Sequence, residues 1–312
     1  MISVISPIYN EAENLGELYE RVKEVLGKAG EDFELVLVDN GSNDRSLEII
    51  KGLRKKDASV RFVSLSRNFG HQGAILAGLS HARGEAVISI DGDLQHPPEL
   101  IPELIRLWKE GHEVVYTVKK ESKEIKIRHS LMVRFFYRLI GLISTVSLSY
   151  GQSDYRLLDR KVVDVILGIP EKDKFLRGMI QWVGFSQVPV EYEVVPRKRG
   201  KSKFSFWNYV SFAFNGIFSF SRIPLRIFLW AGASIASFCG IWGLFYFVMG
   251  LINFWAPGKF PLPPGWASIA VSILFLGSVQ LIGIGILGEY IGRIYSQAKN
   301  RPDFIVREKE LE

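Results

Sequence analysis

Ala86-Val87-Ile88-Ser89-Ile90-Asp91-Gly92-Asp93-Leu94-Gln95-His96-Pro97-Pro98 is an apolar run that breaks into two carboxylates one residue apart. Five apolar or small residues bounded by turn formers read as a buried strand. Working outward, Ile2–Ser6, Phe33–Val38, Val60–Leu65 and Glu113–Val118 are runs of the same kind. Between them the period changes from two to about 3.6. Asn14 to Leu26 carries Leu15, Leu18, Val22 and Val25 at helical spacing. Asp44 caps a segment through Leu47, Ile50 and Leu53, and His71–Ala82 and Pro98–Trp108 complete the series. Strands alternating with helices imply an α/β domain with a largely parallel sheet and right-handed crossovers.

The residues that follow each strand share the carboxyl edge of such a sheet, where ligands bind. They are Pro7, Tyr9, Asn10 and Glu11, then Asp39, Asn40, Gly41 and Ser42, then Arg67 and Asn68, then Asp91, Asp93 and Gln95. Polar and acidic groups on one rim point to a nucleotide-type ligand. A dinucleotide fold is excluded, because no G-x-G-x-x-G follows a strand and Gly70, Gly73 and Gly78 have the wrong spacing. No G-x-x-x-x-G-K-[ST] loop is present either. Asp91 and Asp93 at a strand end suit Mg²⁺ or Mn²⁺, which take carboxylates together with substrate phosphates.

The chain has 312 residues, 47% of them hydrophobic, and a net charge of +6. Its mean hydropathy is slightly positive, +0.12. The excess is localised. Ile227–Gly258 is a run of 32 residues without charge, and Phe260–Gly288 is a second of 29. A bilayer span needs about 20 apolar residues, so two transmembrane helices are predicted, roughly Ile227–Phe254 and Trp266–Gly288. Arg222 and Arg226 precede the pair and Arg293, Lys299 and Arg301 follow it, which places both termini in the cytoplasm. Met1–Asn10 lacks a basic start and a long apolar core, so no cleavable signal peptide is expected. One cysteine, Cys239, excludes an intrachain disulfide.

Charge is equally uneven. Residues 1–118 hold 13 basic and 19 acidic side chains, residues 119–226 hold 20 and 9, and residues 289–312 hold 5 of each. The basic segment abuts the predicted hairpin, where anionic lipid attracts Lys and Arg. Nucleic acid is excluded as a partner for want of any nucleic-acid motif. Ser130–Leu148 places Arg134 and Arg138 on one side and Phe135, Phe136, Leu139, Leu142 and Ile143 around them; Phe204–Phe220 is aromatic and uncharged. Both read as interfacial helices.

Val4-Ile5-Ser6-Pro7-Ile8-Tyr9-Asn10-Glu11, Val38-Asp39-Asn40-Gly41-Ser42-Asn43-Asp44 and Asp91–Pro98 together resemble glycosyltransferase family 2. With Ser153–Lys161, Arg197–Phe204 and the two apolar runs, the chain is similar to the polyprenyl-phosphate glycosyltransferases, a group that includes bactoprenol glucosyltransferases and dolichol-phosphate mannose synthases. The resemblance implies a GT-A (Rossmann-like) catalytic domain with interfacial amphipathic helices and two C-terminal transmembrane helices. It implies donor contacts at Pro7, Tyr9, Glu11, Asp39 and Gln95, and metal at Asp91 and Asp93, with Asp93 also catalytic. It further implies a catalytic role for Asp154, as base or orienter, and acceptor-phosphate contacts at Arg197 and Lys203. Arg128, Arg134, Arg138 and Lys119 are further phosphate candidates. Where many members have a second aspartate, this chain has Asn40, which bears on donor identity.

The expected domains are residues 1–125 (nucleotide-sugar core), 126–225 (acceptor side), 226–292 (membrane hairpin) and 293–312 (cytoplasmic tail). The expected reaction moves a hexose, glucose first, from a UDP-sugar to polyprenyl (undecaprenyl) phosphate with inversion, at the cytoplasmic face of the plasma membrane, in a homo-oligomer. GDP-mannose-dependent mannosyl transfer is the alternative. A non-enzymatic transport or flippase subunit is disfavoured, since neither span carries an ionisable residue. A processive polysaccharide synthase is disfavoured too, since Gln181-Trp182 lacks the Q-x-x-R-W spacing.

Overall fold

The computed structural model describes residues 1–120, 152–172, 174–193, 223–255 and 265–311. Both predicted interfacial helices lie outside these residues, as do Arg128, Arg134, Arg138, Arg197 and Lys203. The chain divides into two compact units, Met1–Ser219 with Asn300–Glu312, and Phe220–Lys299.

The first unit is built on one sheet. Its strands are β1 (Ile2–Ile8), β2 (Phe33–Asp39), β3 (Val60–Leu65), β4 (Ala86–Ser89), β5 (Val114–Lys119), β6 (Gln152–Asp159), β7 (Gln187–Tyr192) and β8 (Val306–Glu310), in the order β7-β5-β6-β4-β1-β2-β3-β8. The block β4-β1-β2-β3 is parallel, as the alternation predicts. β6 runs antiparallel to both β4 and β5, β7 is parallel to β5, and β8 is antiparallel to β3. Strand order reverses between β1 and β4, so the crevice at their carboxyl ends is the ligand position of an open α/β sheet.

Helices α1 (Leu15–Ala29), α2 (Ser46–Lys56), α3 (Gly70–His81), α4 (Ile101–Lys109), α5 (Arg160–Gly168) and α6 (Leu176–Trp182) cover the two faces. Alternation along β1 divides the core. Ile2, Val4 and Ile8 face α1 and α4 through Leu18, Val22 and Leu104, while Ile5 faces α3, α5 and α6 through Leu76, Val163 and Ile180. Each such side chain, fully buried, contributes about 1.5–3 kcal/mol. Helix α3 is buried at seven successive positions, Gly73 to Leu79. Gly78 lets it lie on the sheet: a Cβ there would sit 3.0 Å from the side chain of Ile5.

The second unit consists of α7 (Ile223–Trp255) and α8 (Trp266–Ala298). Each has 33 residues, about 50 Å at 1.5 Å per residue, against a hydrocarbon core of about 30 Å. Both are long and apolar enough to cross a membrane, through Phe228–Phe245 and Phe275–Ala298, and those windows are 0% and 6% buried. Leu229, Trp230, Phe238, Ile241, Ile273, Leu281 and Ile284 are exposed, the surface that a lipid-facing helix presents. The two helices meet where Gly283 faces the Phe228 ring; a Cβ at Gly283 would overlap it.

Helix α8 runs ten residues past Gly288 to Ala298. Beyond it the chain returns to the sheet. Ser66 donates to the Ile305 carbonyl at 2.9 Å, Lys51 pairs with Glu308 at 2.7 Å and Arg54 with Glu310 at 3.3 Å. The segment expected as a tail is the edge strand β8.

At the edge of the sheet away from the crevice, Glu34 is buried. It accepts from Ser3 Oγ at 2.5 Å, from the Arg83 N–H at 2.6 Å, and from Arg61 Nη1. Burial pushes this carboxyl up, but the Ser3, Arg83 and Arg61 donors override it and hold it below the usual range. A carboxyl lowered on folding contributes stability above its unfolded pKa, about 4.3, and loses it as pH falls through the folded value. Glu34→Gln should destabilise the protein by about 3–5 kcal/mol, because Arg61 is left buried without its partner. It should also flatten the fall in unfolding midpoint below about pH 5, as read by denaturant titration in detergent across pH.

Candidate active site

The loops after β1 and β2 are stitched together by short polar side chains. Asn10 N–H donates to Ser42 Oγ at 3.1 Å and Glu11 N–H to Ser46 Oγ at 3.0 Å, while Asn43 N–H donates to Asn10 Oδ1 at 2.8 Å. Pro7, Tyr9 and Glu11 stand half-buried on this rim. Asp39 turns inward, 2% exposed. Its Oδ1 accepts from the Ser42 N–H at 3.0 Å and its Oδ2 from Ser64 Oγ at 2.8 Å. Gly41 has φ +71°, and a Cβ there would meet the Arg67 backbone at 2.6 Å, so this turn requires glycine.

Asn40 is buried too. Its amide nitrogen donates to Asn68 Oδ1 at 3.2 Å and the Gly70 carbonyl at 3.1 Å, and its oxygen accepts from the Phe69 N–H at 2.9 Å. It joins the β2 turn to the first turn of α3. A carboxylate could not donate to either acceptor. Asn40 therefore anchors the loop through its amide.

The carboxylates after β4 sit on a tight turn. Leu94 has φ +60°, a conformation uncommon for a bulky residue, and burial of its side chain in the core of the α1 side compensates. Strain of this kind gathers at functional sites. Gly92 packs against Ile8, where a Cβ would lie 2.6 Å from Ile8 Cδ1. Asp93 Oδ1 accepts from the Gln95 N–H at 3.1 Å. Asp91, Asp93 and Gln95 remain partly exposed on the rim.

Asp154 reaches the same rim from the opposite chain direction. The register of β4 with β6 pairs Ala86 with Asp159 and Ser89 with Arg156; continued two residues, it sets Asp91 level with Asp154. Asp154 is 9% exposed and surrounded by cations. Arg177 of α6 grips it with two parallel bonds, Nε to Oδ1 and Nη2 to Oδ2, each 2.8 Å. Arg156 Nη2 lies 3.3 Å from Oδ1 and His71 Nε2 3.5 Å from Oδ2. Burial would raise this carboxyl; the charge of Arg177, the His71 contact and the charge of Arg156 hold it well below the usual range. Asp154 is a fixed anion and a weak base.

Two imidazoles flank Asp91. His71 Nε2 is 3.5 Å from Oδ1 and His96 Nδ1 is 3.4 Å from Oδ2. Burial lowers His71, but the hydrogen bond to Asp154 and the charge of Asp91 carry it up to about 9. His96 is buried; it meets Ser153 Oγ at 2.9 Å and stacks on Tyr155, ring centroids 5.4 Å apart. Burial holds it below the ordinary histidine value. Lys119 is exposed at the end of β5, opposite Tyr192 of β7. β5 ends, β6 begins and β7 ends at the end of the sheet that carries Asp91 and Asp154.

Sequence reading missed His71, His96 and Arg177. His71 and His96 stand beside the rim residues it named, one at the start of a helix and one three residues past Asp93. Arg177 lies 23 residues from Asp154 and has no local signature.

The model of glycosyl transferase family 2 matches residues 3–167. A prophage-derived bactoprenol glucosyl transferase of Shigella flexneri is 40% identical over 306 residues, covering 98% of this chain and 97% of that one. A glycosyltransferase of Synechocystis is 38% identical over 305 residues, 98% of this chain and 94% of that one. In three dimensions the chain is similar to a mannosyltransferase from Pyrobaculum calidifontis solved with GDP-Man and Mn²⁺, at 18% identity and a TM-score of 0.48, over 93% of this chain and 86% of that one.

Asn40→Asp should leave the rim chemistry in place but cost about 1–3 kcal/mol, since two acceptors lose their donor. A fall in unfolding midpoint with unchanged donor preference is the expected result, measured by thermal unfolding and a donor panel.

Proposed function

The chain belongs to glycosyl transferase family 2, and on that premise we propose that it transfers glucose from UDP-glucose to a polyprenyl phosphate at the cytoplasmic face of a membrane. The observation that carries this reading is the 40% identity to a bactoprenol glucosyl transferase across 98% of the chain, apolar helices included. The rim supports it. Pro7, Tyr9, Glu11 and Gln95 would receive the nucleotide on the rim, with the buried Asp39 beneath them reached only at its remaining acceptor positions, and Arg197, Lys203 and Lys119, with Arg128, Arg134 and Arg138, would receive the lipid phosphate. The hairpin would bring the acceptor to the unit, the basic flanks keeping both termini cytoplasmic, and the helices would assemble copies of the chain.

The donor set fits a divalent cation shared with a substrate. Among the described residues no group of three or more His, Cys, Asp and Glu side chains could hold a metal by itself. Asp91 and Asp93 on a strained turn offer two carboxylates, and Mg²⁺ or Mn²⁺ commonly completes such a site with phosphate oxygens and water. When bound there, the cation would neutralise the departing nucleoside diphosphate.

In the reaction, an acceptor phosphate oxygen forms a bond to the anomeric carbon as the bond from that carbon to the diphosphate breaks, with inversion. Phosphate loses its second proton near pH 6, so the nucleophile needs no strong base. This suits Asp154, whose charge is fixed by Arg177 and His71. We assign it the role of orienter: it holds those two side chains at the level of Asp91, between donor and acceptor.

Asp154→Asn should retain UDP binding but lower turnover by about 10²-fold or more, as misplacement of neighbouring groups does. Calorimetric UDP titration and transfer to labelled lipid separate the two effects; wild-type turnover would remove Asp154 from the mechanism. Incubating the detergent-solubilised protein with polyprenyl phosphate, Mn²⁺ and a panel of labelled nucleotide sugars tests the whole reading. Label in the organic phase from UDP-glucose supports it, label from GDP-mannose redirects the donor, and no label from any donor overturns it. Chelation should abolish transfer and added Mg²⁺ or Mn²⁺ restore it.

A further inference from the structure

We propose that His71 is a positioning residue that ties the metal-facing carboxylate Asp91 to the Asp154 cluster and so sets metal affinity; this rests on the metal reading of Asp91 and Asp93 given above.

The inference follows from where one atom stands. His71 Nε2 is 3.5 Å from Asp91 Oδ1 and 3.5 Å from Asp154 Oδ2. These two carboxylates come from different strands, and Asp154 is in turn clamped by Arg177. His71 spans the gap between the half of the rim that follows β4 and the half that begins β6. Without it, two carboxylates would face one another across the crevice, and Asp91 would lose the imidazole that stands beside its Oδ1.

The imidazole is itself well supported. It projects from the first turn of α3, whose entry is fixed by Asn40 and by the Gly70 N–H donating to Asn68 Oδ1 at 2.7 Å. Next along the helix, Gln72 Oε1 accepts from the Leu176 N–H at 3.1 Å, adjacent to Arg177. The same turn of α3 therefore braces the helix that carries Arg177 and supplies the side chain that meets Asp91. On the other side of Asp91, His96 Nδ1 faces Oδ2 at 3.4 Å, so an imidazole stands at each oxygen. Groups that orient a metal ligand from outside typically change metal affinity or activity by 10–100-fold when removed.

The experiment measures Mn²⁺ binding directly, by electron paramagnetic resonance of free Mn²⁺ with the full-length protein in detergent and saturating UDP, alongside transfer. His71→Ala should weaken Mn²⁺ binding by about 10-fold or more and raise the Mn²⁺ needed for half-maximal transfer in parallel. His71→Gln, which keeps an N–H near the same place, should recover part of the affinity. Unfolding midpoints of both variants should stay near that of the wild type. Wild-type Mn²⁺ affinity in His71→Ala overturns the inference, and so does a loss that only tracks a lowered unfolding midpoint in both variants. If the wild-type protein itself binds no Mn²⁺ with UDP, the metal reading of Asp91 and Asp93 fails first, and the inference falls with it.

Discussion

Strand β6 runs against β4, and this one reversal of direction decides what the crevice contains. In the parallel block every strand delivers its carboxyl end to the rim, as β4 does with Asp91 and Asp93. A strand of opposite direction delivers its amino end instead. The pairing of Ser89 with Arg156 therefore brings Ser153 and Asp154 up beside Asp91. Two arginines and two imidazoles are arranged around those two carboxylates. Arg177, Arg156 and His71 surround one, and His71 and His96 flank the other. A carboxylate as buried as Asp154 is tolerable only when paired and hydrogen-bonded, and the paired state leaves it anionic and immobile.

The parallel half of the fold was legible because its strands are apolar on both faces and its helices keep a regular period. Ile2–Ser6, Phe33–Val38, Val60–Leu65 and Ala86–Ile90 needed little more than pattern and turn residues. β6 was not legible in this way. It reads Gln152-Ser153-Asp154-Tyr155-Arg156-Leu157-Leu158-Asp159 and buries Ser153, Asp154 and Arg156. Its charged members are compensated by Arg177 and by each other, a pairing that exists only after folding. β8, Val306-Arg307-Glu308-Lys309-Glu310, looks like a solvated tail for the opposite reason: an edge strand keeps water on one side, and charged side chains protect it from pairing with other chains.

The site divides along the same line. Residues that end parallel strands could be named from position, and Asp91 and Asp93 could be named for chemistry as well. His71 and Arg177 could not, because their significance lies in distances across the fold. Asn40 shows the converse. Its identity was conspicuous in sequence, while the partners of its amide, Asn68, Gly70 and Phe69, come together only in the fold.

The return of the chain to β8 has a consequence for assembly. The apolar helices α7 and α8 lie, in chain order, between the body of the sheet and the strand that covers its β3 edge. They are synthesised before β8, so the catalytic unit cannot close that edge until both helices have left the ribosome. Until then β3 exposes unpaired backbone groups, and the Lys51–Glu308 and Arg54–Glu310 pairs are absent. Emergence of the apolar helices and completion of the sheet are thereby placed in a fixed temporal order by connectivity alone, and a chain interrupted within those helices would carry an open, adhesive edge.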